Sequence, residues 1–600
     1  MKITRPSPRW RRRTLAGAAA FLLGASLLTA TAAAADDDPR EGLDPGYLDA
    51  EIAANNIELL SSTPRVAPFD ANPGNFGFVN SDLAFTGDHA IVGNFNGFQV
   101  YDVTDAATPT LRSSFVCPGG QGDVSVYGDL LFMSVEESRG RIDCGTQGAP
   151  GQVNPERFRG VRIFDISDID NPVQLPGVQT CRGSHTHTLV TDPDDPGNVY
   201  IYNSGTSNVR SGAELAGCEH AALTADPVTT GDPTQWRIDV IQVPLAAPET
   251  AAIVSQPRIF SDPASGAYNG LQNTMPGAQH PSGTNYGPLP NTNTCHDITA
   301  YPEIGLAAGA CQGNGILLDI SDPASPVRLD AVSDPNFSYW HSATFNNDGT
   351  KVIFTDEWGG GTSARCRDTD RPEWGADALF DIVDGKLQFA SYFKLPAVQT
   401  VQENCVAHNG SIVPVPGRDI MVQAWYQGGV SVIDFTDTAN PVEIAYLDRG
   451  PVDFPNPAGL NLAGYWSTYW YNGHILGSEI ARGFDTLGLT ESPMMSANEI
   501  IAAGEIRLDE FNAQLQTRLD HAPSFAVARS YVDQAERAGT LSGRALEQVR
   551  KHIDKAEHLA GTGAADRAVV AQLDSAIRKS GAPADSDLVA ALTALAGTHG

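Results

Sequence analysis

The stretch GVSVIDFTDTANPVEIAYL, residues 429–447, decides the fold. After Gly429 come alternating β-formers, the pattern of a strand with two unlike faces. Asp434 and Asp437 follow, spaced so that their carboxylates can accept from backbone amides in a turn. Pro441 ends the turn and cannot donate to a ladder, so it opens an outer strand. The unit is strand, turn, strand. It recurs as GFQVYDVTDAATPTLRSSF at 97–115, GVRIFDISDIDNPVQLPGV at 160–178 and NGILLDISDPASPVRLDAV at 314–332, with Pro109, Pro172 and Pro326 in the place of Pro441. Looser copies lie at 236–254 and 378–393.

Ahead of each copy lies a second pattern, an inner strand, a turn and another strand. These segments begin near Ser81, Gly122, His187, His296, His341 and His408, and a further one at Trp466 runs on into GFDTLGL without an outermost strand. NIELLSSTP from Asn56 reads as an outer strand with no blade of its own. Radial repetition of four-stranded sheets hides strand edges. The expected fold is therefore all-β, a seven-bladed β-propeller over 55–490, with the N-terminal strand closing the last blade.

The Gly-x-x-[Val/Ile/Leu]-x-Asp-x-[Ser/Thr]-Asp-x-x-x-Pro copies resemble the LVIVD-repeat family of secreted and surface-associated propellers. The resemblance covers roughly residues 55–490. It implies an architecture, but no activity, because the family has no uniform biochemical function.

The ends of the chain read differently. Lys2, Arg5, Arg9 and Arg11 to Arg13 precede an apolar stretch from Leu15, which ends in the small residues Ala32 to Ala35. This is the layout of a secretory signal peptide, residues 1–35, with a linker over 36–54. The paired arginines loosely resemble a twin-arginine signal. No later stretch approaches the ~20 apolar residues that span a bilayer. From 491 to 600, Gly, Pro and aromatic residues thin out and helical spacing takes over, as in Leu546, Val549, Ile553 and Ala556. That region reads as a small α-helical bundle: a spacer, a module for cell-wall material or a protein partner, or a folded cap.

The formal net charge of −32 argues against nucleic acid or an anionic membrane as a partner, since both need a basic face. Eight cysteines with no CxxC pair fit an oxidising compartment. Eight allow about 105 pairings. Local bonds, Cys117–Cys144, Cys181–Cys218, Cys295–Cys311 and Cys366–Cys405, are the expectation.

Polar residues open the innermost strands, which face the channel of a propeller. His187, His296, His341 and His408 come from four consecutive blades, with Asp82, Asp123 and Asp297 at related positions. Imidazoles meeting on one axis would suit a transition metal, Cu, Zn or Fe, with carboxylates completing or supporting the set. His185 stands two residues before His187, and His474 and Glu479 lie in the last blade. Trp358, Trp374, Trp425, Tyr426, Trp466, Tyr469 and Trp470 either pack between blades or stack on a ligand. There is no phosphate-binding glycine loop and no nucleophile elbow.

Two functions follow. One is an extracellular binding or scaffold protein of unknown ligand. The other is a secreted metal-dependent enzyme, an oxidoreductase or hydrolase, centred on the axial histidines.

Overall fold

The structure, a computed structural model, describes residues 38–70, 79–218, 234–268, 270–271, 292–454 and 461–600. The signal-peptide reading over 1–35 lies outside the described residues. The rest forms seven antiparallel sheets arranged as blades. In chain order they occupy Asn80–Val116, Val124–Gln179, Thr186–Ser255, Asp297–Val332, Trp340–Phe393, Gly410–Arg449 and Tyr465–Leu489. In each blade the first strand is innermost.

The repeated motif does what its chemistry requires. In blades 1, 2, 4 and 6 each aspartate of the pair accepts from the amide two residues on: Asp102 from Thr104 and Asp105 from Ala107, and likewise Asp434 from Thr436 and Asp437 from Ala439. Asp165, Asp168, Asp319 and Asp322 repeat the arrangement. The opening glycine is needed because the outer strand's carbonyl lies against it. At Gly97 and Gly429, both at positive φ, a Cβ would collide with the carbonyl oxygens of Phe115 and Leu447. A bulge then lets the outer strand bend away, between Val100 and Tyr101 in blade 1 and between Val432 and Ile433 in blade 6.

The ring closes through the N-terminus. Ile57–Pro64 pairs antiparallel with Gly483–Leu489 as the outer strand of blade 7, and carries the same bulge, between Leu59 and Ser61. Ile52–Asn55, in the stretch read as a linker, adds a fifth strand outside Val442–Arg449 of blade 6. All eight cysteines are paired, as Cys117–Cys144, Cys181–Cys218, Cys295–Cys311 and Cys366–Cys405. No helix among the described residues is long and apolar enough to cross a membrane.

Five helices follow: α1 (Ala497–Glu505), α2 (Phe525–Arg537), α3 (Gly543–Gly561), α4 (Asp566–Ser580) and α5 (Asp587–Gly597). The last four share a core of Val532, Val549, Ile553, Leu573 and Leu592. Helix α1 starts with a capping box of Ser496 and Glu499. The fully buried Glu499 also binds Arg418 of blade 6 and Arg537 of α2, so the tail is docked on the propeller rather than strung from it as a spacer.

The segment between α1 and α2 departs furthest from the expectation of a separate helical region. Glu510–Asn512 is a strand on the axial side of blade 1, paired with Ala84 to Thr86. Beyond it, the amide of Ala300 in blade 4 donates to Gln514 O, and its carbonyl accepts from Gln516 N, both at 2.8 Å. Two side-chain carboxamides act as short pieces of strand. Asn512 accepts from Val126 N at 2.7 Å and donates to Val126 O at 2.8 Å. Gln516 does the same with Phe345, at 2.8 Å each way. The C-terminal segment thus fills the channel mouth at which the innermost strands end, and satisfies backbone groups of blades 1, 2, 4 and 5 that face the axis.

Two outcomes follow. Asn512→Ala and Gln516→Ala each leave a buried N–H and C=O without partners. Each should cost about 1–3 kcal/mol, read as a lower denaturant midpoint of the full mature chain; an unchanged midpoint would mean that water reaches this mouth freely. A chain beginning at Val66 lacks the outer strands of blades 6 and 7, exposes unpaired edges and should melt well below the full mature protein. Equal melting temperatures would show that the ring closes without them.

Candidate metal centre on the propeller axis

At the opposite mouth, the innermost strands of blades 4, 5 and 6 begin with or just after His296, His341 and His408. Their rings stand in a row, with centroids 3.8 Å apart from His296 to His341 and 4.1 Å from His341 to His408. His185, in the turn before Thr186–Thr191, extends the row, its centroid 4.2 Å from that of His296.

The two ends of the row are oriented from behind. His185 Nδ1 lies 2.6 Å from Glu136 Oε2, and Glu136 also accepts from Thr206 Oγ1. His408 Nδ1 donates to the carbonyl of Trp466. A ring nitrogen facing a carbonyl oxygen must carry the proton, so His408 Nε2 is left as a lone pair. Nothing among the described residues hydrogen-bonds that nitrogen, nor either ring nitrogen of His341, although both side chains are almost fully buried. At the other end, His185 Nε2 and His296 Nε2 face each other at 2.6 Å.

Glu357 closes the set. Its Oε2 is 3.8 Å from His341 Nε2 and its Oε1 is 3.7 Å from His408 Nε2, while Oε1 accepts from Tyr426 Oη at 2.5 Å. Ligand atoms of His296, His341 and Glu357 lie within 4.8 Å of one another. This buried His/Glu cluster could hold a metal ion.

Charge is distributed unevenly across it. Burial disfavours the charged form throughout, yet the Glu136 carboxylate holds His185 above the ordinary imidazole value. Glu136 is itself pulled down to about 2, its burial outweighed by His185. Burial, together with neighbouring imidazoles, drives His296 and His341 well below the usual range and His408 to about 3. Three rings are therefore neutral at physiological pH, the form that binds metals. Burial raises Glu357 to about 7.

The other residues singled out in the sequence fall elsewhere. His187 does not join the row. Its Nδ1 is 2.8 Å from Ser134 Oγ and 3.0 Å from Asp123 Oδ2, and its Nε2 is 2.5 Å from Ser125 Oγ, between blades 2 and 3. The residue that stands beside His296 in the row is His185, and His187, inside the strand, is taken up by Ser125, Ser134 and Asp123. His185 and His187 do not share a site, because His185 lies before the strand, where the alternation of faces does not hold. Asp82 is occupied by Ser467 Oγ and Tyr469 Oη at 2.6 Å and Gln514 Nε2 at 2.9 Å. Asp123 accepts from His187 N at 2.9 Å. Asp297 Oδ1 is 3.5 Å from His296 Nδ1, behind the ring rather than in the row. His474 lies at the far mouth, across from Tyr471, and Glu479 accepts from Gly464 N and Ala481 N.

Glu136 and Glu357 were not found from the sequence, though a signal existed. Each immediately follows the second strand of its blade, Leu130–Val135 and Lys351–Asp356. In an antiparallel pair that point lies beside the start of the first strand, where the histidines are.

Over the row opens a cavity of about 420 Å³. Tyr339, Tyr426, Trp466, Val79, Leu462 and Ile480 line it together with His185, His296 and Glu357. Of the aromatic residues noted earlier, Trp358, Trp374, Trp425, Tyr469 and Trp470 are buried packing, whereas Tyr426 and Trp466 face this cavity.

No protein-family model matches the chain, and no curated protein does. Solved structures resemble its strand arrangement. A periplasmic gluconolactonase of Pseudomonas aeruginosa is 12% identical over 68% of this chain and 99% of its own, with a TM-score of 0.36. Hydrazine synthase of Kuenenia stuttgartiensis is 11% identical over 70% and 96%, with a TM-score of 0.38. A functionally unknown protein of Desulfotomaculum acetoxidans is 12% identical over 62% and 90%, with a TM-score of 0.32. Likeness at this level carries no chemistry.

Replacing Glu136 tests the electrostatics in chelator-treated protein. In Glu136→Gln the cause of the raised His185 value is gone, and that ring should titrate below the ordinary imidazole range by NMR. The stability at stake is about 1.5–3 kcal/mol, the size of a charge-assisted hydrogen bond. Its pH window follows from both partners. The depressed Glu136 contributes above its unfolded value near 4.5 and loses that contribution as pH falls toward about 2. The raised His185 contributes below its unfolded value near 6.5 and loses it as pH climbs through the raised one. The gap between wild type and variant should be widest near pH 5–6 and shrink on both sides; a pH-independent gap would mean that the pair is not ionic.

Proposed function

We propose that this protein is an exported metal-dependent enzyme whose transition metal, Cu, Zn or Fe, is held by the axial imidazoles His296 and His341, with His408 and Glu357 at its edge. The observation that carries the reading is the orientation of the row's ends. The Trp466 carbonyl takes the outward nitrogen of His408 and leaves its Nε2 facing the row, while Glu136 takes that of His185, whose Nε2 meets His296 Nε2 at 2.6 Å. Between them stands His341, buried with both nitrogens unpartnered among the described residues. An unsatisfied buried polar atom costs about 1–3 kcal/mol, and a bound cation removes that cost. Outward acceptors that fix the tautomer of inward ligands are the usual support of a metal site.

The open face supports an enzyme rather than a structural ion. A closed site surrounds its metal with protein ligands, whereas a catalytic one keeps a position for substrate, and here a cavity lies over the row. When bound, the metal would supply Lewis acidity or, for Cu and Fe, electron transfer. Glu357 stands within reach of the same space. It can take up or give a proton at Oε2 while Tyr426 steadies Oε1. Four disulfides suit the extracellular setting.

Elemental analysis of the purified mature protein decides between the two functions. A stoichiometric transition metal is expected, lost in His341→Ala and in His408→Ala while the far-UV spectrum stays the same. Copper or iron would direct assays toward oxidation, zinc toward hydrolysis. A protein that carries no such metal, and takes up none on reconstitution, is not this enzyme, and the extracellular binding or scaffold reading then stands.

A further inference from the structure

The cavity over the imidazole row has a composition that restricts what can enter it. Its volume, about 420 Å³, falls within the range of small-molecule sites. Tyr339 and Trp466 are only partly buried and present ring surface to it. Trp466 and Tyr426 meet at 82° with centroids 6.3 Å apart, so they form a corner against which a flat ring can lie on one wall and edge-on to the other. Val79, Leu462 and Ile480 complete apolar walls. The run Gly359-Gly360-Gly361 borders the same space without side chains, and at Gly361 a Cβ would collide with Tyr426 Oη. That glycine is what lets the tyrosine lie where it does.

No Lys or Arg lines the cavity among the described residues. The internal stretches outside them, 71–78, 219–233, 272–291 and 455–460, contain none in their sequences either. A phosphate or carboxylate would meet the carboxyl group of Glu357 and a single basic ring, His185, which is already paired with Glu136. An organic cation is the rival occupant, since Glu357 Oε2 and the aromatic faces could receive it, and the amine probe below distinguishes the two. The polar groups that remain, Glu357 Oε2, Ser338 and Asn404, suit one or two neutral hydrogen bonds.

We propose that the cavity binds an uncharged aromatic ligand of the aryl-alcohol class, its ring against Tyr339, Tyr426 and Trp466 and its hydroxyl toward Glu357 and the imidazoles. The proposal deepens the reading of the row as a catalytic centre by naming its substrate class, but the binding is a property of the walls. It can therefore be measured whether or not a metal is present.

The test uses three probes of one shape, 2-phenylethanol, phenylacetate and 2-phenylethylamine, titrated by calorimetry into the full mature protein after chelation. The alcohol should bind, and the acid and the amine should each bind about tenfold more weakly or not at all. Tyr339→Ala and Trp466→Ala, both at half-buried positions, should each weaken the alcohol by about tenfold with the far-UV spectrum of the fold retained. If the acid or the amine binds as tightly as the alcohol, if no probe binds, or if neither substitution matters, the proposal is overturned. Alcohol binding by a protein that holds no metal would leave this ligand class standing and remove the catalytic reading alone.

Discussion

Every feature of this molecule's axis answers one constraint. A propeller pairs each strand with a neighbour except on one side of the innermost, so its inner edges bring unpaired backbone groups to a common line. Buried N–H and C=O groups must find partners. At the mouth where the innermost strands end, the chain solves this with its own tail. Asn512 and Gln516 reproduce the donor and acceptor of a passing strand, and the backbone around Gln514 and Gln516 pairs with Ala300. At the mouth where those strands begin, side chains carry the load instead, and there the solution is incomplete. The nitrogens of His341 and the Nε2 of His408 are left over. The contrast between a satisfied mouth and an unsatisfied one is what marks the second as a site.

The sequence displays the ring far better than the axis, and for a physical reason. Blade hairpins are local: the aspartate pair, the glycine and the proline act within some twenty residues, so their spacing survives in each copy. The closing strand was legible too, because an outer strand without a blade and a blade without an outer strand have one economical match. Axial contacts join residues hundreds of positions apart, and only register links them. His296, His341 and His408 were found because they hold the same place in consecutive repeats. His187 lies two residues beyond His185, which holds the place in the row from the turn before the strand. Glu136 and Glu357 stayed hidden because attention to where first strands begin passes over where second strands end. In the tail, Asn512, Gln514 and Gln516 fall at every second position, a strand signal. Their polar face turns inward, against the usual rule, since what lies inside here is bare backbone.

An unsatisfied cluster of imidazoles is not a resting place that a soft scaffold would keep. Rings 3.8–4.2 Å apart could relax by rotating toward carbonyls or by drawing in water. The disulfides stand where they resist this. Cys295 is bonded to Cys311 and adjoins His296; Cys405 is bonded to Cys366 and stands three residues before His408; Cys181 is bonded to Cys218, four residues before His185. Each tethers the approach to one ring, so the loops that deliver the histidines lose the freedom by which the rings could part. A cross-link also narrows the unfolded ensemble, which offsets the cost of holding the lone pairs apart. The stopper adds to the same end. The far mouth is filled by hydrogen-bonded chain, and the cavity lined by Tyr339 and Trp466 opens over the row from the other side. The arrangement is then tethered behind and open above, so that a neutral imidazole keeps its lone pair for an incoming ion.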